Sequence, residues 1–151
     1  MWWPRTARMS HGEVLVPLDG SPLAEAAFLE ALDLFDDRIT VLNVVTPLDR
    51  GMSEGGVLER DEQREAAATE RAESLVDRAT ERAADQGRTV ETVVETGDPA
   101  EVILAYVDAN DVERVVMGGH GGPDGGLAER LLGTVATTVV AEAPVSVTVV
   151  R

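Results

Sequence analysis

A glycine-rich segment near residue 120 has the clearest chemical potential in the sequence. It begins Met117-Gly118-Gly119-His120-Gly121 and, after more Gly, Pro and Asp, ends Leu131-Leu132-Gly133-Thr134-Val135. Glycine loops expose N–H groups that cradle phosphate oxygens, and a helix starting after such a loop adds unpaired donors and partial positive charge. The Thr134 hydroxyl is a further donor. The spacing matches neither GxGxxG nor a Walker A motif, so spacing alone favours a phosphate cradle and a plain loop equally.

Hydrolytic and metal chemistry have weak support. Ser21, His120 and Asp19 are the residue types of a catalytic triad, but Ser21 precedes Pro22 and is better explained as a helix N-cap. His120 suits general-base chemistry near neutral pH, and we favour a loop histidine without a partner. Zero Cys and 2 His exclude a thiol nucleophile, a thiolate zinc site and a histidine-rich metal site. We predict no catalytic residue and no protein ligand for a metal, and any Mg²⁺ would arrive with a nucleotide.

The composition predicts one acidic domain. The chain has 151 residues, a net charge of -15 and 44% hydrophobic residues, which suffices for a core and is too apolar for a disordered acidic tail. Negative charge without a basic patch argues against nucleic-acid binding. All 13 basic residues are Arg. An acidic surface without Lys favours a salt-rich cytoplasm, and a GC-rich genome is the alternative explanation.

The start of the sequence is set apart from the rest. Residues 1–8 contain two Trp and two Arg but no apolar region of a signal peptide. We favour a start assigned upstream of Met9, with a small aromatic anchor as the alternative. Residues 1–12 are thus expected to be an extension, either disordered or misassigned, before a domain over 13–151. No stretch approaches the roughly 20 apolar residues of a membrane-spanning helix.

The elements that would position the candidate residues alternate between strands and helices. Apolar, β-branched runs predict strands over 14–18, 39–45, 89–95, 111–117 and 145–150. Periodic segments between them predict helices from Pro22, over about 57–86, from Pro99 and over about 127–142. This order implies an α/β fold, a five-stranded parallel sheet with helices on both faces. Such sheets bind ligands beyond the carboxyl ends of the strands, where Asp19-Gly20-Ser21 and the loop 118–126 would meet.

Several helices carry their own boundary and packing signals. Asp98 before Pro99 predicts an N-cap and a first helical residue, and Gly87 predicts the end of the long helix. That helix resembles a covering helix more than a coiled coil because its apolar stripe is mostly Ala. The apolar stripe predicted for the first helix comprises Leu23, Ala26, Ala27, Ala31, Leu34 and Phe35, and that of the long helix comprises Ala68, Ala72, Leu75, Val76, Ala79 and Ala83.

Taken together, these motifs resemble the nucleotide-binding branch of the universal stress protein family. The resemblance covers 13–151 and rests on Val14-Leu15-Val16-Pro17-Leu18-Asp19-Gly20-Ser21, Gly97-Asp98-Pro99, Met117-Gly118-Gly119-His120-Gly121, Leu131-Leu132-Gly133-Thr134-Val135-Ala136 and the run 143–151. Motifs in a fixed order are more specific than any one of them. The resemblance implies the five-stranded Rossmann-like fold of the adenine nucleotide alpha hydrolase type, which agrees with the order of elements above.

The resemblance also implies an ATP site. The family marks this branch by G-x2-G-x9-G-[ST], which holds the phosphates and ribose, so Gly118, Gly121, Gly133 and Thr134 take those roles. Asp19 resembles the acid that contacts ribose, Pro17 part of the adenosine wall, and Val44 the residue that meets adenine. The residues expected to bind the nucleotide are Pro17, Asp19, Val44, Met117, Gly118, Gly121, Gly133, Thr134 and Val135.

One departure from the family pattern leaves two functions open. Eleven residues, Gly122 to Leu132, separate Gly121 from Gly133, where the family has nine. Two extra loop residues add little closure entropy but can move amides off the phosphates. The first hypothesis is an ATP-binding regulator of the stress response whose occupancy biases dimer or partner contacts, with at most slow hydrolysis. The second is a dimeric interaction module without nucleotide, and an adenylate-chemistry enzyme ranks last.

The final strand predicts self-association. Val145 to Val150 form an apolar terminal strand, which at a sheet edge can pair with its copy across a twofold axis. The family typically dimerises this way, so we expect a cytoplasmic homodimer with an unidentified protein partner and neither nucleic acid nor membrane. A strand covered by the chain's own N-terminal segment is the alternative.

Overall fold

The computed structural model describes residues 12–47, 58–119 and 132–151. Strands and helices alternate along these residues, as the sequence predicts. The elements are β1 (Glu13–Pro17), α1 (Pro22–Leu34), β2 (Arg38–Val45), α2 (Leu58–Asp85), β3 (Glu91–Thr96), α3 (Pro99–Ala109), β4 (Val112–Gly118), α4 (Thr134–Glu142) and β5 (Ser146–Val150). The strand boundaries lie within two residues of the predicted ones.

The strands form one sheet in the order β3-β2-β1-β4-β5, and every pairing is parallel. The predicted α/β fold with a five-stranded parallel sheet is therefore confirmed. From β1 the chain proceeds outward through β2 and β3, then returns to place β4 on the other side of β1. This reversal opens a crevice between the carboxyl ends of β1 and β4, where open α/β sheets bind ligands.

Helices cover both faces of the sheet. On one face α1 and α2 pack on strand residues such as Val16, Ile39 and Val41. On the other face α3 and α4 pack on residues such as Leu15, Leu42 and Val115. The central strands are buried from both sides, which explains why their sequences are continuous apolar runs without polar alternation.

The predicted stripe of α2 is confirmed and that of α1 is partly wrong. Ala72, Val76, Ala79 and Ala83 of α2 are buried against the sheet, so α2 is a covering helix. On α1 the buried residues are Ala24, Ala27, Phe28, Ala31 and Leu32, whereas Ala26 is exposed and the Leu34 side chain is 61% exposed. Because α1 is apolar on much of its circumference, two stripes of helical period compete, and contact with the sheet selects the one that contains Phe28.

The predicted helix boundaries are confirmed at three places. The Ser21 Oγ accepts a hydrogen bond from the Ala24 N–H (3.2 Å), and an Asp98 carboxylate oxygen accepts one from the Glu101 N–H (3.1 Å). Gly87 ends α2 with φ +70°, a conformation that favours glycine. The helix expected over about 127–142 starts at Thr134 within the described residues, and its first predicted residues lie outside them.

Candidate functional site

A cavity of about 320 Å³ opens at the carboxyl ends of β1 and β4. The ends of β1, β2 and β4 line it, together with the starts of α1, α3 and α4. All the sequence-predicted site residues except Gly121 lie in its wall, and Gly121 is outside the described residues. The shared set is Pro17, Asp19, Val44, Met117, Gly118, Gly133, Thr134 and Val135.

One side of the cavity is apolar. Leu42, Ile103 and Met117 line it and belong to the core cluster beneath α3 and α4. Val44 and Val135 line it as well and pack against the same cluster. An apolar wall of this kind suits a flat aromatic ring, as in most small-molecule sites.

The start of α4 forms a polar side of the same cavity. Gly133 is the N-cap residue and supplies no side-chain hydrogen bond, and the first N–H bonded within the helix is that of Thr137, to the Gly133 carbonyl (2.9 Å). The N–H groups of Thr134, Val135 and Ala136 therefore have no acceptor within the described part of the chain. Three open donors at a helix N-terminus, with the partial positive charge of the helix, attract an anion.

Two amides of the glycine-rich segment, that of Gly119 and that of the predicted site residue Gly133, are engaged within the fold. The Gly119 N–H donates to the Val150 carbonyl (2.8 Å), and the Gly133 N–H donates to the Gly119 carbonyl (2.5 Å). These bonds join the two ends of the glycine-rich segment to each other and to the end of β5. Among the described residues at this place, the donors that remain open are those at the start of α4.

Gly118 has a packing role that its position in a glycine motif does not reveal. A Cβ at this residue would lie 2.7 Å from the Ala24 backbone N and 2.8 Å from the Leu23 carbonyl carbon. The end of β4 thus approaches the first turn of α1 too closely for any side chain. This contact holds together two of the elements that line the cavity.

Asp19 is the one carboxylate among the described lining residues. One of its oxygens accepts a hydrogen bond from the Ser21 N–H (2.9 Å), and its second oxygen has no partner in the described ranges. The preceding residue is fixed by the buried Asn43, whose side-chain amide donates to the Leu18 carbonyl (2.7 Å). The sequence analysis missed Asn43, although it is the one polar residue within the apolar run 41–45 of β2.

Ser21 caps α1, as predicted, through the bond to Ala24. His120, the base of the hypothetical triad, lies outside the described residues. Where residues are described, no group of three or more His, Asp or Glu side chains is arranged to hold a metal ion. No described helix is long and apolar enough to span a membrane.

A second polar cluster, which the sequence analysis also missed, lies at the opposite end of β1. Glu13 is 2% exposed, and its Oε1 accepts hydrogen bonds from Arg38 and from the Thr40 hydroxyl (3.1 Å each). The Tyr106 hydroxyl donates to the same oxygen at 3.5 Å. Burial raises the pKa of Tyr106, and the negative charge of Glu13 raises it further. Because Glu13 begins β1 and the cavity is at the other end of that strand, this cluster is structural.

Comparisons with known proteins agree with this fold. The model of the universal stress protein family matches residues 11–151. No curated protein matches the chain. The structure is similar to a universal stress protein UspA from Lactobacillus plantarum, with a TM-score of 0.80, 23% identity and coverage of 93% of this chain and 98% of that one.

Two further similar structures contain nucleotides. One is a universal stress protein in complex with cAMP, with a TM-score of 0.68, 23% identity and coverage of 94% of this chain and 98% of that one. The other is a universal stress protein family protein from Arabidopsis thaliana with AMP bound, with a TM-score of 0.67, 21% identity and coverage of 92% and 90%. At these identities the likeness establishes the fold.

Proposed function

Because the chain belongs to the universal stress protein family, we propose that it is a regulatory protein that binds ATP in the cavity between β1 and β4. The observation that carries the proposal is the uncapped start of α4, which opens into a cavity that is otherwise largely apolar. Related structures with AMP and cAMP support the choice of an adenine nucleotide. The three open N–H groups suit phosphates because the described residues that line the cavity include no cation.

The chemistry of the cavity walls supports one orientation of the nucleotide in this proposal. The adenine ring lies against Val44 and Ile103 on the apolar side, and the phosphates lie at the N–H groups of α4. A carboxylate accepts hydrogen bonds and repels phosphate, so Asp19 lies beside the ribose and accepts from its hydroxyls through its free oxygen. Gly121 would reach the phosphates from the glycine-rich segment.

Mg²⁺ fits this site as a companion of the nucleotide. It favours oxygen ligands, keeps several waters and is usually held by one or two carboxylates together with substrate phosphates. Asp19 is the described residue able to contribute an oxygen, directly or through water. The metal would neutralise phosphate charge in a protein without Lys.

The hydrogen bonds of Gly119 suggest how occupancy could act on assembly. Its carbonyl accepts from Gly133 at the start of α4, and its N–H donates to Val150 at the end of β5. Binding of phosphates at the start of α4 would therefore act, through the two hydrogen bonds of Gly119, on the end of β5, which is an edge strand of the sheet. We propose that β5 pairs with its copy in a homodimer and that the nucleotide biases this pairing.

Titration calorimetry with Mg-ATP tests the site in the wild type, Gly133→Asp and Gly133→Ala. Gly133 has φ -66° and ψ 165°, so both substitutions suit its backbone. Aspartate would cap α4 with its own carboxylate and compete with the phosphates, and we expect an affinity loss of about 100-fold or more. Alanine adds no acceptor and should change the affinity by only a few fold.

The outcomes separate the two functions left open by the sequence. Saturable binding that Gly133→Asp removes supports the proposed site, and undiminished affinity in that variant contradicts it. A folded wild type that binds no nucleotide favours the dimeric interaction module, to which the eleven residues from Gly122 to Leu132 point. Light scattering with and without Mg-ATP measures the assembly, and a single-chain mass in both states contradicts the homodimer.

A further inference from the structure

A second groove lies beside the cavity, on the other side of Asp19. Its volume is about 500 Å³. The β1–α1 loop, at Asp19 and Gly20, forms one wall of this groove, and the middle of α2 forms the other. Gly20 adopts φ +87°, and a Cβ there would lie 3.3 Å from a methyl carbon of Leu75, so the loop and the helix approach closely. We call this space the α2 groove. Since Asp19 lines both spaces, a ligand beside Asp19 in the cavity adjoins the α2 groove.

Two arginines line the α2 groove and have no partner within the described residues. Arg71 and Arg78 are seven residues apart, two helical turns or about 10 Å along one side of α2, with Ser74 between them. Neither guanidinium forms an ion pair or a hydrogen bond in the described part of the chain. Glu70 and Asp19 also line the groove, yet neither is paired with these arginines.

Four other described arginines, by contrast, have partners within the described residues. Arg38 pairs with the buried Glu13 and Arg82 with Glu25 (2.9 Å). The Arg88 guanidinium donates to the carbonyls of Leu32 (2.6 Å) and Asp37 (3.2 Å), and Arg114 lies over the Phe35 ring. In a chain with a net charge of -15, two unpaired guanidiniums in one groove are unusual. Their planar donors match the oxygens of a phosphate.

We propose that the α2 groove holds a phosphate group carried on the ribose of the bound nucleotide. The proposal rests on the proposed function, in which the ribose lies at Asp19. A phosphate on one of the 2′ and 3′ oxygens then extends past Asp19 toward Arg71 and Arg78, whose charges offset those of the Asp19 and Glu70 carboxylates in the groove. The other ribose hydroxyl still donates to the free Asp19 oxygen, and the 5′ phosphate stays at α4. The protein thus prefers nucleotides phosphorylated both on the ribose ring and at the 5′ position over those with a 5′ phosphate alone.

Calorimetric titration with AMP, adenosine 2′,5′-bisphosphate and adenosine 3′,5′-bisphosphate tests this preference. Because hydrogen bonds between charged groups are strong, we expect one bisphosphate to bind the wild type about tenfold or more tightly than AMP. The double variant Arg71→Gln/Arg78→Gln should bind that bisphosphate and AMP equally well. Arg64→Gln removes one positive charge from α2 outside the groove, where the double variant removes two, and should keep the preference. Far-UV circular dichroism establishes that each variant is folded.

Three results would overturn the proposal. They are equal binding of AMP and both bisphosphates by the wild type, a preference that survives in the double variant, and a preference that Arg64→Gln reduces as much as the double variant does. The last would indicate long-range charge instead of contact in the groove. The Mg-ATP titration of the wild type decides the proposed function separately: if Mg-ATP binds while AMP and both bisphosphates bind equally, only the preference fails, and if Mg-ATP does not bind, the proposed function fails with it.

Discussion

Three helices begin around the same cavity, and they begin differently. α1 is capped by the Ser21 hydroxyl and α3 by the Asp98 carboxylate, so each of these starts satisfies one of its N–H groups within the chain. α4 begins at Gly133, without a side-chain acceptor. Glycine at an N-cap costs only a few tenths of a kcal/mol relative to Ser or Asp, so the open donors of α4 are inexpensive to the fold. The difference shows where the protein keeps donors open for a ligand and where it uses them to hold its own fold.

A side-chain cap on α4 should remove the difference between this helix and α1 and α3, and we expect it to produce the largest change, a loss of stabilisation by ATP. Mg-ATP at 100 times its Kd should stabilise the wild type by about 2.7 kcal/mol, and Gly133→Asp should abolish this stabilisation. The same variant without nucleotide should gain only a few tenths of a kcal/mol, because glycine is itself a tolerated N-cap residue. Urea denaturation with and without Mg-ATP measures both changes. Equal stabilisation of Gly133→Asp and Gly133→Ala by ATP would show that the start of α4 is not where the phosphates bind.

Gly118→Ala should have the next largest effect, a loss of stability, because it disturbs the packing between β4 and α1. The new Cβ would meet backbone atoms of Leu23 and Ala24, which cannot rotate away. We expect the free energy of unfolding to fall by about 1–3 kcal/mol, measured by urea denaturation without nucleotide. Ser146→Ala, at an exposed residue, serves as the control. A variant as stable as the wild type would mean that α1 moves freely relative to β4.

Removing the side-chain caps of α1 and α3 tests whether these two helix starts serve the fold alone. Ser21→Ala and Asp98→Ala each leave an N–H group without its acceptor and should lower the free energy of unfolding by about 1 kcal/mol. Thermal denaturation measures the loss. Neither effect should depend on ATP if these helix starts serve the fold. A cap variant that ATP stabilises by more than it stabilises the wild type would show that phosphate also binds at that helix start.

The smallest effect is expected at the far end of β1, where Arg38, Thr40 and Tyr106 all donate to Oε1 of the buried Glu13, while its Oε2 has no partner among the described residues. Burial raises the pKa of Tyr106 above its ordinary value of 10.0. The folded protein therefore favours the neutral phenol, and its contribution to stability is lost as the pH rises above 10 toward the pKa of the folded state. Tyr106→Phe should show a weaker loss of stability over this range in denaturation experiments. Identical pH profiles would mean that the hydroxyl does not titrate differently in the folded chain.

Much of the fold was predictable because it depends on local signals. Strands were identified from β-branched runs, and the starts of α1 and α3 from Ser21-Pro22 and Asp98-Pro99. The stripe of α2 is predicted correctly because the outer face of this helix is charged, whereas α1 is apolar on several sides and its buried face is predicted only in part. Asn43 and Glu13 were missed because burial of a polar side chain depends on partners in other elements.

The sequence by itself determined the alternation of elements, the capped helices and the residues that could meet at one edge of the sheet. The tertiary structure alone decided that β1 lies beside β4, that Gly118 touches α1, and that the amides of Gly119 and Gly133 are already bonded. It also decided that Arg71 and Arg78 line a groove next to Asp19. The reason is physical: caps and periodicity involve neighbours in the chain, whereas an open donor or an unpaired charge depends on which distant groups pack against it.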